Sequence, residues 1–201
     1  MSDILPAMRR HWIEYVATFV ALAVSVISLW VAIGTEDANR RMVAAASWPL
    51  LQAEDTNSGN SNEPDIRLSV INSGVGPAKL ETMEISWKGH PYRSGGELLA
   101  DCCGFKAHRF PAPPGEPPHT PVTTGTISGL VVRAGETRTF LDLPRGSDNA
   151  EVWDKFDAVR RQLVYRACYC SVFDECWIST LRNLDARRVD RCPVVKDLYV
   201  E

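Results

Sequence analysis

Residues 12–33 read Trp-Ile-Glu-Tyr-Val-Ala-Thr-Phe-Val-Ala-Leu-Ala-Val-Ser-Val-Ile-Ser-Leu-Trp-Val-Ala-Ile, with no charge, Gly or Pro from Tyr15 to Ile33. At about 1.5 Å rise per residue the run is long enough to cross a hydrocarbon core of about 30 Å. Trp12, Tyr15 and Trp30 stand near its ends, where interfacial aromatics belong. The h-region of a signal peptide is shorter, about 7–15 residues. The cleavage-like Ala44-Ala45-Ala46 also lies beyond Arg40 and Arg41, too far from the apolar run. An uncleaved anchor is therefore expected.

The flank extends the helix. Glu36 and Asp37 precede Arg40 and Arg41 by four residues, the favourable order for i,i+4 ion pairs. Pro49 disfavours helix at Trp48. One helix over residues 12–47 is expected, divided into a span (12–33) and a stalk (34–47). Residues 1–11 form a short tail and residues 48–201 the domain. Ala17, Ala21 and Ser25, spaced i,i+4, make a small-residue stripe on which two such helices can approach, so self-association through this face is expected.

The remainder reads mainly as strands. Residues 48–53 form a possible first strand, and residues 66–71 alternate with period 2. Residues 79–87 do so again, except that Leu80 is out of phase with Met83, Ile85 and Trp87; a bulge near Glu81 and Thr82 explains the slip. Residues 95–103 form a helical turn carrying Cys102 and Cys103. Pro111, Pro113, Pro114, Pro117, Pro118 and Pro121 make an extended surface loop beginning at Phe110, and Phe110 to Pro118 are a candidate interaction loop. Residues 126–132 and 137–143 read as a hairpin around Arg133-Ala134-Gly135-Glu136. Asp148 with Glu151 resembles a capping box, opening a helix with Val152, Trp153, Phe156, Val159 and Leu163 on one face. Residues 163–172 and 176–181 form a last hairpin, and an Arg- and Asp-rich tail follows. About seven strands and one amphipathic helix suit an immunoglobulin-like β-sandwich, with an α+β sheet as the alternative.

Trp48-Pro49, then a strand, then Asn72-x-Gly74-x-Gly76-Pro77-Ala78 and another strand, resembles uncharacterised single-pass bacterial membrane proteins with an N-terminal anchor and a small β-sandwich ectodomain. The stretch from Cys168 and Cys170 to Cys176 and Trp177 is similar to the same group. The resemblance could cover residues 12–182. It implies fold and topology and carries no activity.

Charge excludes one class of partner. Formal net charge is -3, and Arg9, Arg10, Arg40 and Arg41 balance Asp3, Glu14, Glu36 and Asp37, so the acidic excess sits on the domain. Such a domain lacks the basic face that nucleic acid requires. The Arg182, Arg187, Arg188 and Arg191 cluster is interrupted by Asp185 and Asp190 and reads as a solvated face.

Six cysteines, Cys102, Cys103, Cys168, Cys170, Cys176 and Cys192, fall in the domain. With the last turn centred on Phe173, Cys170 and Cys176 stand opposite each other and can form a disulfide. Cys168 is free to reach Cys102, Cys103 or Cys192, and a strained Cys102–Cys103 bridge is disfavoured against each reaching elsewhere. Six cysteines allow 15 connectivities. A zinc site from these thiolates with His90, His108 or His119 is the rival, weakened by the absence of Cys-x-x-Cys and of paired His spacing. No Gly-x-Ser-x-Gly elbow is present, and Gly74-x-Gly76-Pro77 lacks the Lys of a P-loop and the third Gly of a dinucleotide turn.

No catalytic, cofactor or metal residue is therefore expected. The expected function is that of a non-enzymatic binding protein of the bacterial inner membrane. Membrane lipid contacts residues 12–33, an unknown protein or envelope component is the partner, and the span offers a face for a possible homo-oligomer. Arg9 and Arg10 favour a cytoplasmic N-terminus, and the cysteine count favours an oxidised periplasmic domain. The alternatives are a Cys/His metal-binding or enzymatic domain, and a cytoplasm-facing sensor or effector.

Overall fold

The computed structural model describes residues 4–59, 64–107, 119–182 and 184–200, with side chains from residue 12 onward. The chain divides into two compact units, Met1–Ala45 and Ala46–Glu201. The proline-loop residues Phe110, Pro111, Pro113, Pro114, Pro117 and Pro118, and His108, lie outside the described residues.

The first unit is helix α1, Ile4–Ala46. It starts earlier than the apolar run because residues 4–11 contain no strong helix breaker beyond Pro6, which is tolerated in a first turn. From Trp12 on it is long and apolar enough to cross a membrane. The polar flank carries the two expected pairs, Glu36–Arg40 at 2.6 Å and Asp37–Arg41 at 2.9 Å. Ser25 donates to the Ala21 carbonyl at 2.8 Å, so its hydroxyl is satisfied within the helix.

The second unit contains two antiparallel sheets. In the first, β1 (Leu51–Thr56), β2 (Asp65–Asn72), β7 (Thr137–Pro144) and β5 (Thr123–Thr124) lie in that order. In the second the order is β10 (Arg187–Val189), β9 (Cys176–Ser179), β8 (Val164–Cys170), β3 (Ala78–Trp87) and β4 (His90–Tyr92), and β6 (Leu130–Val132) also pairs with β3. Leu51, Ile66, Leu68, Val70, Phe140 and Leu143 of the first sheet share one hydrophobic cluster with Leu80, Met83, Ile85, Tyr165 and Tyr169 of the second. The Phe140 ring meets Tyr165 edge-on at 6.5 Å and Tyr199 at 5.5 Å. Helices α2 (Gly95–Cys103) and α3 (Ala150–Arg160) pack on each other, burying Leu98, Leu99, Trp153 and Phe156.

The β3 bulge lies where the Leu80 phase slip places it. Its register with β8 shifts between Leu80 and Thr82, and Leu80, Met83 and Ile85 are all fully buried. Four expectations are corrected. The first strand begins at Leu51 rather than residue 48, because the backbone of residues 48–50 is held by the loop after β2. The hairpin over residues 126–143 does not form: β6 joins β3 and β7 joins β2. Its turn instead bridges the sheets, since Gly135 N donates to Asn72 O at 2.8 Å and Asn72 N to Glu136 O at 3.0 Å. Asp148 caps nothing: it accepts from Thr120 N at 2.8 Å and from the Thr120 hydroxyl, and Asn149 becomes the residue before α3. Finally, the tail is not merely solvated. It supplies β10, and Tyr199 is buried, its N donating to Met83 O at 2.8 Å.

Candidate functional site: sulfur cluster and loop clasp

Strand β8 sorts its side chains by period 2. Tyr165, Ala167 and Tyr169 enter the core, so Cys168 and Cys170 share the opposite face. On β9, Trp177 pairs with Tyr169 across the ladder and stacks on it at 6.0 Å, which leaves Cys176 opposite Cys170 on the cysteine face. The intervening turn is closed by Ser171 N donating to Glu175 O at 2.8 Å. Strand β10 then lies against β9 and delivers Cys192 onto this face.

Two disulfides result. Cys170 bonds to Cys176, with Cα atoms 4.0 Å apart, and Cys168 bonds to Cys192, at 5.6 Å. Between the two bridges, Cys170 Sγ and Cys192 Sγ are 3.8 Å apart. The sulfurs of Cys170, Cys176 and Cys192 all lie within 4.8 Å of one another. Cys168, Cys170 and Cys176 are buried, and Cys192 is half-buried. The third bridge corrects the expectation for Cys102 and Cys103, which bond to each other at the end of α2. That helix buries Leu98, Leu99 and Cys103 and ends at Gly104, whose left-handed backbone (φ 76°) caps it. The other four cysteines pair among themselves.

Among the described residues, His90 and His119 do not join the sulfurs. His90 packs edge-on against Tyr92 at 4.9 Å, and His119 Nδ1 lies 3.7 Å from Asp148. The Thr120 hydroxyl beside Asp148 holds that carboxyl below its ordinary range. Arg182 sits over Tyr165 and reaches Asp55 at 3.4 Å, and Arg188 pairs with Glu175 at 2.6 Å, so the tail arginines divide between different neighbours.

The Gly-rich loop is a clasp. Asn72 is fully buried, and its Oδ1 accepts from Leu50 N at 3.2 Å and Gly74 N at 3.0 Å. Its Nδ2 donates to Gly76 O at 2.8 Å and Val132 O at 3.0 Å. Val75 N and Gly76 N both donate to Trp48 O, at 3.0 and 3.3 Å, and Ser73 N donates to Leu50 O at 2.8 Å. A Cβ at Gly74 would strike the Trp48–Leu50 backbone, and one at Gly76 the Ser47 backbone. The backbone N–H groups that a phosphate loop would aim at a ligand are thus used on the segment leading into the domain.

Two polar groupings carried no sequence signal. Buried Arg160 bonds Asp55 at 2.6 Å and Asp157 at 2.8 Å, and its partners lie far apart in the chain. On the first sheet, Arg67 bonds Asp65 at 2.6 Å. Burial, followed by the neighbouring Asp65 carboxyl, pushes Asp142 up to about 6. Neither Asp65 Oδ1 nor Asp142 Oδ1 has a donor when both groups are carboxylates; a proton on Asp142 supplies one.

No protein-family model, curated protein or solved structure matches the chain.

Proposed function

We propose that the protein is a single-pass, non-enzymatic binding protein of the bacterial envelope, with its N-terminus in the cytoplasm and its C-terminal domain in the periplasm. The observation that carries this reading is the association of one membrane-compatible helix with a domain whose six cysteines are all in disulfides. Disulfides persist in oxidising compartments such as the periplasm. Arg9 and Arg10 ahead of the span favour retention of the N-terminus inside. In this reading the two sheets form an immunoglobulin-like sandwich, supported by the single hydrophobic cluster that both sheets feed. The α1 stripe of Ala17, Ala21 and Ser25 supports pairing of two copies in the bilayer.

A binding role is supported by what the chemical-looking motifs do. The Gly loop clasps residues 48–50, Cys170–Cys176 cross-links β8 to β9, and Cys168–Cys192 ties the tail to β8. Residues 110–118 remain as the partner-binding loop, because proline-rich chain loses little entropy on docking. The test is in-cell crosslinking of the full chain, with and without residues 111–118. The reading expects a protein or envelope adduct that weakens on deletion while the disulfides stay formed. A hydrolytic activity lost in His108→Ala or His119→Ala, with fold intact, would overturn it.

A further inference from the structure

We infer that the sulfur cluster on the β8–β9 hairpin is a redox-gated zinc site: reduction of its two disulfides creates a tetrathiolate site for one zinc ion, formed by Cys168, Cys170, Cys176 and Cys192. Geometry outside the covalent bridges carries this. Zinc–sulfur bonds of about 2.3 Å place the sulfurs of a tetrahedral site about 3.8 Å apart. Cys170 Sγ and Cys192 Sγ belong to different disulfides, so no bond sets their separation, yet they lie 3.8 Å apart. The Cys176 sulfur lies within 4.8 Å of both. Cys168 is bonded to Cys192 and shares the strand face of Cys170 two residues away, so the fourth sulfur lies beside this group of three and joins it by side-chain rotation once its bond to Cys192 opens.

Backbone ladders, and not the bridges alone, place the cysteines. The ladder from Ala167↔Ser179 to Cys170↔Cys176 positions three of the sulfurs. Pairing of Arg187, Arg188 and Val189 with β9 brings the chain within three residues of Cys192. Leu80 and Tyr169 anchor the opposite face in the core. Opening the S–S bonds then requires rotation of the Cys168, Cys170 and Cys176 side chains on their strands and of Cys192 three residues beyond β10. Lys79 stands opposite Cys170 on β3, with its ammonium paired to Asp174 of the β8–β9 turn. The ligand set is all sulfur, since His90 and His119 are engaged elsewhere.

The chemistry balances with a trialkylphosphine or a dithiol as reductant. Each S–S bond accepts two electrons and two protons and becomes two thiols. The phosphine leaves as its oxide, taking oxygen from water, or the dithiol leaves as its own disulfide. Zinc then binds the four sulfurs and their protons pass to solvent. Reoxidation by a small-molecule disulfide, which accepts two electrons per bridge and leaves as two thiols with protons from solvent, restores the bridges and expels the ion, so the same residues cross-link the domain in one state and hold a soft cation in the other.

The experiment uses the full chain in detergent micelles, treated with trialkylphosphine, and cobalt(II) as the probe. The reduced chain should take up one cobalt ion with sulfur-to-cobalt charge-transfer absorption and a tetrahedral spectrum, both abolished by added zinc. The oxidised chain should lack the absorption. Cys192→Ser should lose the tetrathiolate spectrum, and the Cys102→Ser/Cys103→Ser double variant should keep it. The inference is overturned if the reduced chain, folded or unfolded, gives no charge-transfer absorption. It is equally overturned if Cys192→Ser and the Cys170→Ser/Cys176→Ser variant bind cobalt as the parent chain does.

Discussion

The Asn72 side chain donates to the Gly76 carbonyl at 2.8 Å, closing a loop whose N–H groups hold Trp48. This relationship gives the Trp-Pro and Asn-x-Gly-x-Gly-Pro-Ala motifs one physical role, although 22 residues separate Leu50 from Asn72. Asn is specific to the position because it offers two acceptor sites and two donors there. Asn72→Ala should destabilise the domain by about 3 kcal/mol, since it strands several buried backbone groups. Asn72→Asp should be at least as damaging, because it cannot donate to Gly76 and Val132 and brings charge into the core. Thermal unfolding of the full chain in micelles, followed by near-ultraviolet circular dichroism, measures both.

Glycine at positions 74 and 76 serves close approach. Neither has a positive φ, and a Cβ at either would meet backbone that cannot swing aside. Gly76→Ala should therefore cost about 1–3 kcal/mol, the usual scale for overpacking. Gly34→Ala should instead leave the fold intact, because open space surrounds that position. The same unfolding assay separates the two.

The Asp142 carboxyl predicts a pH dependence. Its folded pKa is raised from 3.8 to about 6 by burial and then by Asp65, so the folded state holds the proton more tightly than the unfolded chain. That stabilisation is complete below about 3.8 and is lost as pH rises to about 6. Asp142→Asn should flatten this slope and be more stable than the parent above about pH 6. An unchanged slope between those values would show that Asp142 titrates normally.

The three bridges should rank by the loop each closes. Replacing Cys168 and Cys192 by Ser opens a separation of 24 residues and should cost about 3–4 kcal/mol. Replacing Cys170 and Cys176 opens a separation of 6 and should cost about 2 kcal/mol. Replacing the adjacent Cys102 and Cys103 opens no loop and should cost least. Denaturant midpoints of the three double variants give the order.

Local chemistry explains what could be read in advance. The β3 bulge announced itself through the phase of Leu80, and the helix face of Trp153, Phe156 and Val159 through its period. The Cys170–Cys176 bridge followed from hairpin symmetry about Phe173. Long-range choices were hidden. Nothing local to residues 130–144 says that β6 and β7 join different sheets; that depends on Asn72 taking Val132 O and Glu136 O. The Arg160–Asp55 pair spans 105 residues, and the Asp65–Asp142 contact exists only because β2 lies beside β7. Tail burial at Tyr199 had no periodic neighbours to reveal it.

The central claim, an anchored domain oxidised on the far side of a membrane, is tested most directly by thiol labelling of the full chain in intact bacterial cells. The account predicts no mass shift with a membrane-impermeant maleimide alone, and labelling of all six cysteines by that reagent after an impermeant reductant. Cysteines that label without reductant, and only with a membrane-permeant maleimide, would place a reduced domain in the cytoplasm and contradict it.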